Sequence, residues 1–280
     1  MRRVSLVVAV LAVAGAALAG CGSSKSGAAS KVTFEITQAG NVLAINGPSS
    51  IDGGVVAVTV KNSAQTPTDL ELIRVTGNHS GDELKAVLDS QGGPIPSWIV
   101  TGGGVGTVAP GTSETATQKY PQGTYYAASS PDSGGGGPEV KPVLKPVQVT
   151  GDKGGSLPDA TATVRARDYT FSTDGLKAGR ITVKYENDGK QLHQFIAAPL
   201  AAGKTVNDVK AALKSQDQSA PPPIDFEAAA GSAVLGPGQA LVTTLNFKSG
   251  KYVFMCFIQD RAGGPPHAIA HDMVKEVTIV

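Results

Sequence analysis

The sequence has little cysteine and almost no net charge. Of its 280 residues two are cysteine, and 24 Lys+Arg against 23 Asp+Glu leave a formal net charge of +1 at pH 7. Two cysteines exclude a disulfide-rich scaffold and any metal site that needs four thiolates. Because no basic stripe stands out from this even balance, we expect no nucleic-acid partner.

Long apolar runs are missing beyond the N-terminus, whereas turn-forming residues are plentiful. The chain has 35 Gly and 18 Pro, and 41% of its residues are hydrophobic. This hydrophobic share is enough for packed cores and excludes wholesale disorder. The frequent glycines and prolines favour a loop-rich β protein over a helical bundle, in one large domain or two small ones.

The N-terminal residues have the pattern of an export signal. Two arginines precede the apolar run Leu6–Ala19, which is too short to span a bilayer and fits a secretory signal. The run leads into LAGC, ending at Cys21, and this resembles a bacterial lipobox. The resemblance implies a lipoprotein signal peptide (1–20), a lipid on Cys21 and a flexible tether (21–31). The alternative is an ordinary signal peptide with a chance cysteine.

The export signal also predicts where the protein is located. We expect it in the bacterial cell envelope, outside the cytoplasm, at the outer face of the cytoplasmic membrane. Since the net charge is so small, the lipid on Cys21 rather than charge would hold it to the membrane.

The rest of the sequence contains an internal repeat of two similar halves. Four segments of the first half recur in the same order in the second half, at offsets of 123 to 127 residues. Short runs with period-two alternation, separated by Gly and Pro, predict strands. In each half a hydroxyl residue followed three positions later by an acid predicts one capped helix, at Ser80 with Glu83 and at Thr205 with Asp208.

These patterns predict an all-β fold. We expect two tandem β-sandwiches, each with one short helix. The first would cover residues 32–149 and the second residues 162–280, with a linker over residues 150–161.

Histidine, cysteine and methionine gather in the second half. Three of the four histidines and one methionine accompany the second cysteine, in the order His193, Cys256, His267, His271, Met273. With a lipid on the first cysteine, Cys256 has no partner in the chain, so it is either a buried and inert thiol or a ligand. One Cys, two His and a Met at one end of a β-sandwich are the ligand set of a blue-copper site.

With this set of residues the chain resembles the cupredoxin family, specifically its plastocyanin- and azurin-like members. The segments that carry the resemblance are residues 184–195, 250–256 and 266–279. The resemblance covers the second half, with the first half as a degraded copy. It implies that both sandwiches are cupredoxin-like Greek-key folds.

The resemblance further implies one copper ion. Residue by residue, it makes His193, Cys256 and His267 equatorial ligands and Met273 the axial ligand. Ten residues separate Cys256 from His267, a longer loop than in compact members of the family. His271 therefore remains an alternative ligand, although its closeness to Met273 would strain joint coordination of one ion.

The first half is expected to hold no metal. An offset of 127 residues places Ser129 opposite Cys256, and aligning His-Gln-Phe-Ile with Leu-Glu-Leu-Ile places Leu70 opposite His193. Copper oxidases need further histidines, commonly as His-x-His pairs, which this chain lacks. We therefore predict that the protein is an electron carrier and not an enzyme. Its partner would be an unknown redox protein of the cell envelope. A metal-free binding or structural lipoprotein, or a copper storage or delivery protein, are the alternatives.

Overall fold

The computed structural model describes residues 29–90, 92–129, 143–215 and 219–280. The predicted signal peptide, Cys21 and most of the predicted tether lie outside these residues. Within the described ranges, no helix has the length and apolar character needed to cross a membrane.

The first half of the described chain consists of ten strands and one helix. The strands are β1 (Ser30–Ala39), β2 (Val42–Asn46), β3 (Ser50–Asp52), β4 (Gly54–Ser63), β5 (Thr68–Val75), β6 (Ile99–Thr101), β7 (Gly104–Val108), β8 (Ser113–Tyr120), β9 (Gly123–Ser129) and β10 (Val143–Thr150). Helix α1 (Gly81–Asp89) lies between β5 and β6.

The second half, as far as it is described, repeats this order with fewer strands. The strands are β11 (Ala162–Arg167), β12 (Thr170–Asp174), β13 (Gly179–Asn187), β14 (Ile196–Pro199), β15 (Ala230–Gly231), β16 (Ala240–Phe247), β17 (Gly250–Met255) and β18 (Val274–Ile279). The helices are α2 (Val206–Lys214) and α3 (His267–Ala270).

The strands form three sheets, and one of them is shared by both halves. The shared sheet has the order β12-β11-β13-β16-β8-β4-β1-β2, so each half contributes four strands. A second sheet, β3-β10-β9-β5-β6 with β7 beside β5, belongs to the first half, and β15-β14-β17-β18 belongs to the second. The predicted all-β class with two β-sandwiches is confirmed, while the exact domain boundaries stay a prediction.

The two halves meet edge to edge, which the sequence did not predict. Strand β16 pairs with β8 in antiparallel fashion, with Thr243 opposite Ala116. These two residues are 127 positions apart, so they are equivalent positions of the repeat. An antiparallel contact that pairs equivalent positions is the signature of an approximate twofold axis between the halves.

The helix predictions are confirmed for α1 and α2. Ser80 and Thr205 cap the free N–H groups of the first turn, and Glu83 and Asp208 reach back to the backbone of the cap residue. The short helix α3 was not predicted. It begins directly after Pro266 and carries a candidate ligand on its first residue.

Strand β17 alternates between two cores, as its period-two pattern predicts. Tyr252, Phe254 and Cys256 lie in the core between the two sheets of the second half. Val253 and Met255 lie on the opposite face, in a smaller cluster with residues of α2. The cysteine is therefore placed inside the sandwich by the same alternation that packs the aromatic rings.

A carboxyl group at the junction also joins the halves. Oε1 of Glu71 accepts a hydrogen bond of 2.8 Å from the N–H of Val234, and Oε2 is buried without a hydrogen-bond partner among the described residues. Burial, helped by the charge of Asp69, raises the pKa of Glu71 well above its usual value, against the effect of the N–H groups of Val234 and Gly103. The folded protein therefore keeps the proton of Glu71 to a higher pH than the unfolded chain does.

Replacing Glu71 with glutamine should make the metal-free protein more stable at alkaline pH. The unfolded chain releases this proton above about pH 4.5 while the folded chain keeps it, so the wild type loses stability as the pH rises from there. We expect the free energy of unfolding of Glu71→Gln to match that of the wild type at pH 4 and to exceed it at pH 8, because the glutamine has no proton to lose. Urea unfolding across this range measures it, with the exposed Glu227→Gln as control. Parallel pH curves for Glu71→Gln and wild type would contradict the prediction.

Candidate metal centre

Three segments bring His193, Cys256 and His267 to one end of the second sandwich. His193 lies between β13 and β14, and its backbone N–H and C=O pair with Leu235 at 3.0 and 2.8 Å. Cys256 directly follows β17, and His267 is the first residue of α3. Cys256 and His267 therefore lie at the ends of regular elements, and His193 is held by its backbone bridge to Leu235.

Asn187 fixes the turn that leads to His193. Its side chain is fully buried, and its Nδ2 donates to the carbonyls of Gln191 and Leu235, both at 2.8 Å. Its Oδ1 accepts from the N–H of Gly189 at 2.9 Å. One amide thus joins the turn before His193 to Leu235, the residue that pairs with the backbone of His193.

The long loop between Cys256 and His267 is closed at its base. The N–H of Ala268 donates to the carbonyl of Cys256 at 2.9 Å, and the N–H of His267 donates to the carbonyl of Ile258 at 2.8 Å. The ten residues between Cys256 and His267 therefore form a loop whose two ends lie side by side at the site. This explains why the length of the loop does not carry His267 away from the cysteine.

The candidate ligand atoms of these three residues converge on one point. Sγ of Cys256 lies 3.7 Å from Nδ1 of His193 and 3.5 Å from Nδ1 of His267. All three ligand atoms lie within 4.8 Å of one another, and all three residues are fully buried. A single ion between them could contact one sulfur and two nitrogens.

A carboxylate orients His193. Oδ1 of Asp168 lies 2.7 Å from Nε2 of His193, and the carboxylate also accepts from the N–H groups of Lys190 and Gln191. Partial burial raises the pKa of Asp168, but these hydrogen bonds, that of His193 first, outweigh it and hold the pKa below its usual value. An ionised Asp168 takes a hydrogen bond from Nε2–H, which leaves the lone pair of Nδ1 facing the sulfur.

Asp260 has a similar place beside His267. Its Oδ1 lies 3.3 Å from Nε2 of His267 and accepts from the hydroxyl of Tyr169 at 2.6 Å. Its Oδ2 lies 2.8 Å from Nε2 of His271, whose ring stacks on Tyr169 with 3.6 Å between the centroids. His271, the alternative ligand of the sequence, thus lies in the layer around the site and outside the group of three.

Burial sets the protonation of the ligands in the metal-free protein. It raises the pKa of the Cys256 thiol to about 11, against the backbone N–H groups of Gln194 and Ile258 that face the sulfur. Burial, followed by the charge of His193, lowers the pKa of His267 to about 4. At neutral pH the site therefore holds a thiol and neutral imidazoles, and a bound cation would supply the charge that stabilises a thiolate.

Met273 is fully buried in the same core as Cys256. Its backbone N–H donates to the carbonyl of His267 at 3.1 Å, which ties it to the end of α3. Its role as the axial ligand stays a prediction.

The first half repeats the frame of this site. Asn62 is fully buried, and its Nδ2 donates to the carbonyls of Thr66 and Val108 at 2.9 and 2.8 Å. Its Oδ1 accepts from the N–H of Ala64 at 2.8 Å. Asn62 therefore does in the first sandwich what Asn187 does in the second.

The strand register corrects one alignment made from the sequence. Thr68 pairs with Val108 as His193 pairs with Leu235, so Thr68 and not Leu70 is the counterpart of His193. The alignment by residue similarity was wrong by two positions because it matched apolar residues rather than strand partners. With Ser129 opposite the cysteine, hydroxyl groups replace the imidazole and the thiol, and these are poor ligands for a soft ion.

The comparisons with known proteins were as follows. No family model matches the chain, and no curated protein matches it. Among solved structures, an auracyanin from Roseiflexus castenholzii is 21% identical, covering 42% of this chain and 94% of its own, with a TM-score of 0.27. Auracyanin A from Chloroflexus aurantiacus, described as a "blue" copper protein, is 18% identical, covering 42% of this chain and 98% of its own, with a TM-score of 0.26.

A longer match is the copper nitrite reductase of Nitrosomonas europaea. It is 12% identical and covers 89% of this chain and 93% of its own, with a TM-score of 0.25. The resemblance to cupredoxins is confirmed at the site, where the His-Cys-His group is formed. Auracyanins and multicopper oxidases are among the matched structures. The TM-scores are low, so the function is argued below from the site alone.

Sequence reasoning missed the groups that hold the ligands in place. Asp168 and Tyr169 lie in the turn between β11 and β12, and Asp260 lies in the loop after Cys256. No spacing rule connects these residues with the histidines, because they meet only when distant turns come to the same end of the sandwich. The one signal in the sequence was the presence of two charged residues, Asp260 and Arg261, in the long loop between Cys256 and His267.

Proposed function

We propose that this protein is a copper protein of the bacterial cell envelope that carries single electrons. The observation that carries the proposal is the group of one thiol sulfur and two imidazole nitrogens, fully buried and within 4.8 Å of one another. His193, Cys256 and His267 would hold the ion, with Met273 as a weak fourth ligand.

The donor set fits copper better than zinc. Thiolate and thioether are soft donors that suit Cu(I), while imidazole suits Cu(II), so the mixture accommodates both states. Structural zinc sites are closed by four cysteine, histidine or carboxylate ligands, and the two nearby carboxylates, Asp168 and Asp260, are directed at Nε2 atoms instead. Bound copper would supply one-electron redox chemistry, and the residues around it keep water and substrates away.

The burial of the ligands supports a carrier rather than an enzyme. No atom of the three ligand residues is left open to a substrate, since all three are fully buried. Within the described residues, they are the one such group that the structure brings together. Electrons can cross a few layers of packed side chains, whereas a substrate would need an open position on the ion.

The proposal includes the membrane and a partner. A lipid on Cys21 and the tether to residue 31 would keep the protein at the outer face of the cytoplasmic membrane. The partner would be another redox protein of the envelope.

Copper titration of the full mature chain tests the proposal. We expect one equivalent of Cu(II) to bind and to give an intense visible band from charge transfer between the thiolate and copper. The bound ion should then be reduced and reoxidised repeatedly without being released. Loss of the metal on reduction would favour storage or delivery, and a colourless protein without tight binding would leave a metal-free scaffold.

A further inference from the structure

We infer that the metal-free first half is a brace that holds the copper ligands in position, with Arg261 as its principal contact. The inference rests on the proposed function, because it concerns the copper ligands. Its evidence is a set of hydrogen bonds between the first and the second half of the chain. We name residues 92–99 the bracing segment and residues 257–266 the ligand loop. The bracing segment belongs to the first half, and the ligand loop joins Cys256 to His267 in the second.

Arg261 joins the two segments through three hydrogen bonds. Its guanidinium donates to the carbonyl of Pro96 at 3.1 Å and to the carbonyl of Ile99 at 2.9 Å. Its own carbonyl accepts from the N–H of Ile95 at 2.9 Å. The planar fork of an arginine is suited to hold two carbonyl groups at once, and bonds from a charged donor are stronger than neutral ones.

The rest of the ligand loop also lies close against the bracing segment. The N–H of Gly264 donates to the carbonyl of Gly92 at 3.0 Å, and Nε2 of Gln259 donates to the carbonyl of Gly93. Gly263 has a positive φ of 91°, and a Cβ on it would lie 2.8 Å from the carbonyl oxygen of Gly92. The contact therefore leaves no room for a side chain at this position.

The contact is transmitted to both histidines. Asp260 immediately precedes Arg261 and faces Nε2 of His267. The N–H of Arg261 donates to Oε1 of Gln191 at 3.1 Å, and Gln191 lies in the turn that carries His193. A shift of Arg261 would therefore move Asp260, which lies beside His267, and the turn that carries His193.

A second cross-half contact supports the other ligand segment. Glu71 of the first half accepts from the N–H of Val234, and the next residue, Leu235, pairs with the backbone of His193. The first half thus touches both chain segments that approach the cysteine. This gives a metal-free sandwich a function in a metal protein, because it holds the outer part of the ligand loop, beyond the hydrogen bonds that close the base of the loop.

The test uses the full chain with Cys21→Ser, so that Cys256 is the single thiol. Two variants weaken the brace, Arg261→Ala and Gly263→Ala. Two matched controls change the same residue types elsewhere: Arg180→Ala, exposed at the start of β13, and Gly203→Ala, where φ is 75° and a Cβ would meet nothing within 4 Å. Circular dichroism selects variants that keep the β fold.

The first readout needs no metal. In the metal-free protein the buried Cys256 should react slowly with iodoacetamide, and both brace variants should react about tenfold faster because the ligand loop opens locally. The second readout is copper, for which we expect about tenfold weaker affinity, together with a shifted visible band and altered electron paramagnetic resonance. Both controls should match the parent chain in both readouts.

The outcomes separate the two proposals. If the parent chain binds no copper but the brace variants expose the thiol, the copper function fails and the brace stands. If the parent chain binds copper and the brace variants match it in thiol reactivity, affinity and spectrum, the brace is refuted and the copper function stands.

Discussion

Replacing Cys256 with serine should abolish the visible band of the copper-loaded protein. The band requires a thiolate on the ion, and a serine hydroxyl is neither soft nor acidic enough to take its place. We expect copper affinity to fall by more than about 100-fold, because even the loss of an outer-shell partner costs ten- to hundredfold. A copper titration followed by visible absorption and competition with a chelator measures both effects.

The other cysteine, Cys21, provides the matched control. Cys21→Ser removes a thiol from the N-terminal segment and should leave the band, the affinity and the stoichiometry unchanged. The serine at position 256 keeps the small volume of the cysteine and lies near Nδ1 of two histidines, so the β fold should persist. A Cys256→Ser protein that still turned blue with copper would show that the ion binds elsewhere.

Replacing Asn187 with alanine should have the largest effect on stability. It removes the hydrogen bonds that the amide makes to the carbonyls of Gln191 and Leu235 and from the N–H of Gly189. The carbonyl of Leu235 keeps the bond from the N–H of His193. Each of the three hydrogen bonds contributes about 1 kcal/mol net, so we expect the free energy of unfolding of the metal-free protein to fall by about 3 kcal/mol. Urea unfolding measures the loss. Because the turn before His193 is loosened, copper affinity should fall about tenfold as well.

The repeat supplies a control of the same chemistry. Asn62→Ala breaks the equivalent three hydrogen bonds in the first half, so its loss of stability should be similar. Its copper affinity should be that of the wild type, because Thr68 and Ser129 hold no ion. Equal copper affinities in the two variants would mean that Asn187 has no part in placing His193.

The parts of the fold predicted from the sequence are those encoded by local patterns. Ser80 with Glu83 and Thr205 with Asp208 specified the two helix starts, because a capping box is satisfied within four residues. The alternation along β17 placed Cys256 inside the sandwich. The set of residue types at the second half's end was enough to suggest a copper site, since few other sites combine these donors.

The parts of the fold that the sequence did not predict depend on contacts between segments that are far apart in the chain. Helix α3 is too short to show a periodic hydrophobic pattern. The counterpart of His193 was misassigned to Leu70 instead of Thr68, because sequence similarity does not show which residues pair between strands. The pairing of β8 with β16 depends on which strands are left at the sheet edges once each half has folded. The placement of Asp168 and Asp260 beside the imidazoles likewise exists only in three dimensions.

The shared sheet has a consequence for how the molecule would behave in pieces. Separation of the halves would leave β8 and β16 each with a row of unsatisfied backbone groups, which invites aggregation. Because Ala116 and Thr243 are equivalent positions, each freed edge could bind a copy of itself as well as its former neighbour. The architecture resembles that of a homodimer joined through one sheet, but both halves belong to one polypeptide, and the His-Cys-His group lies in the second half.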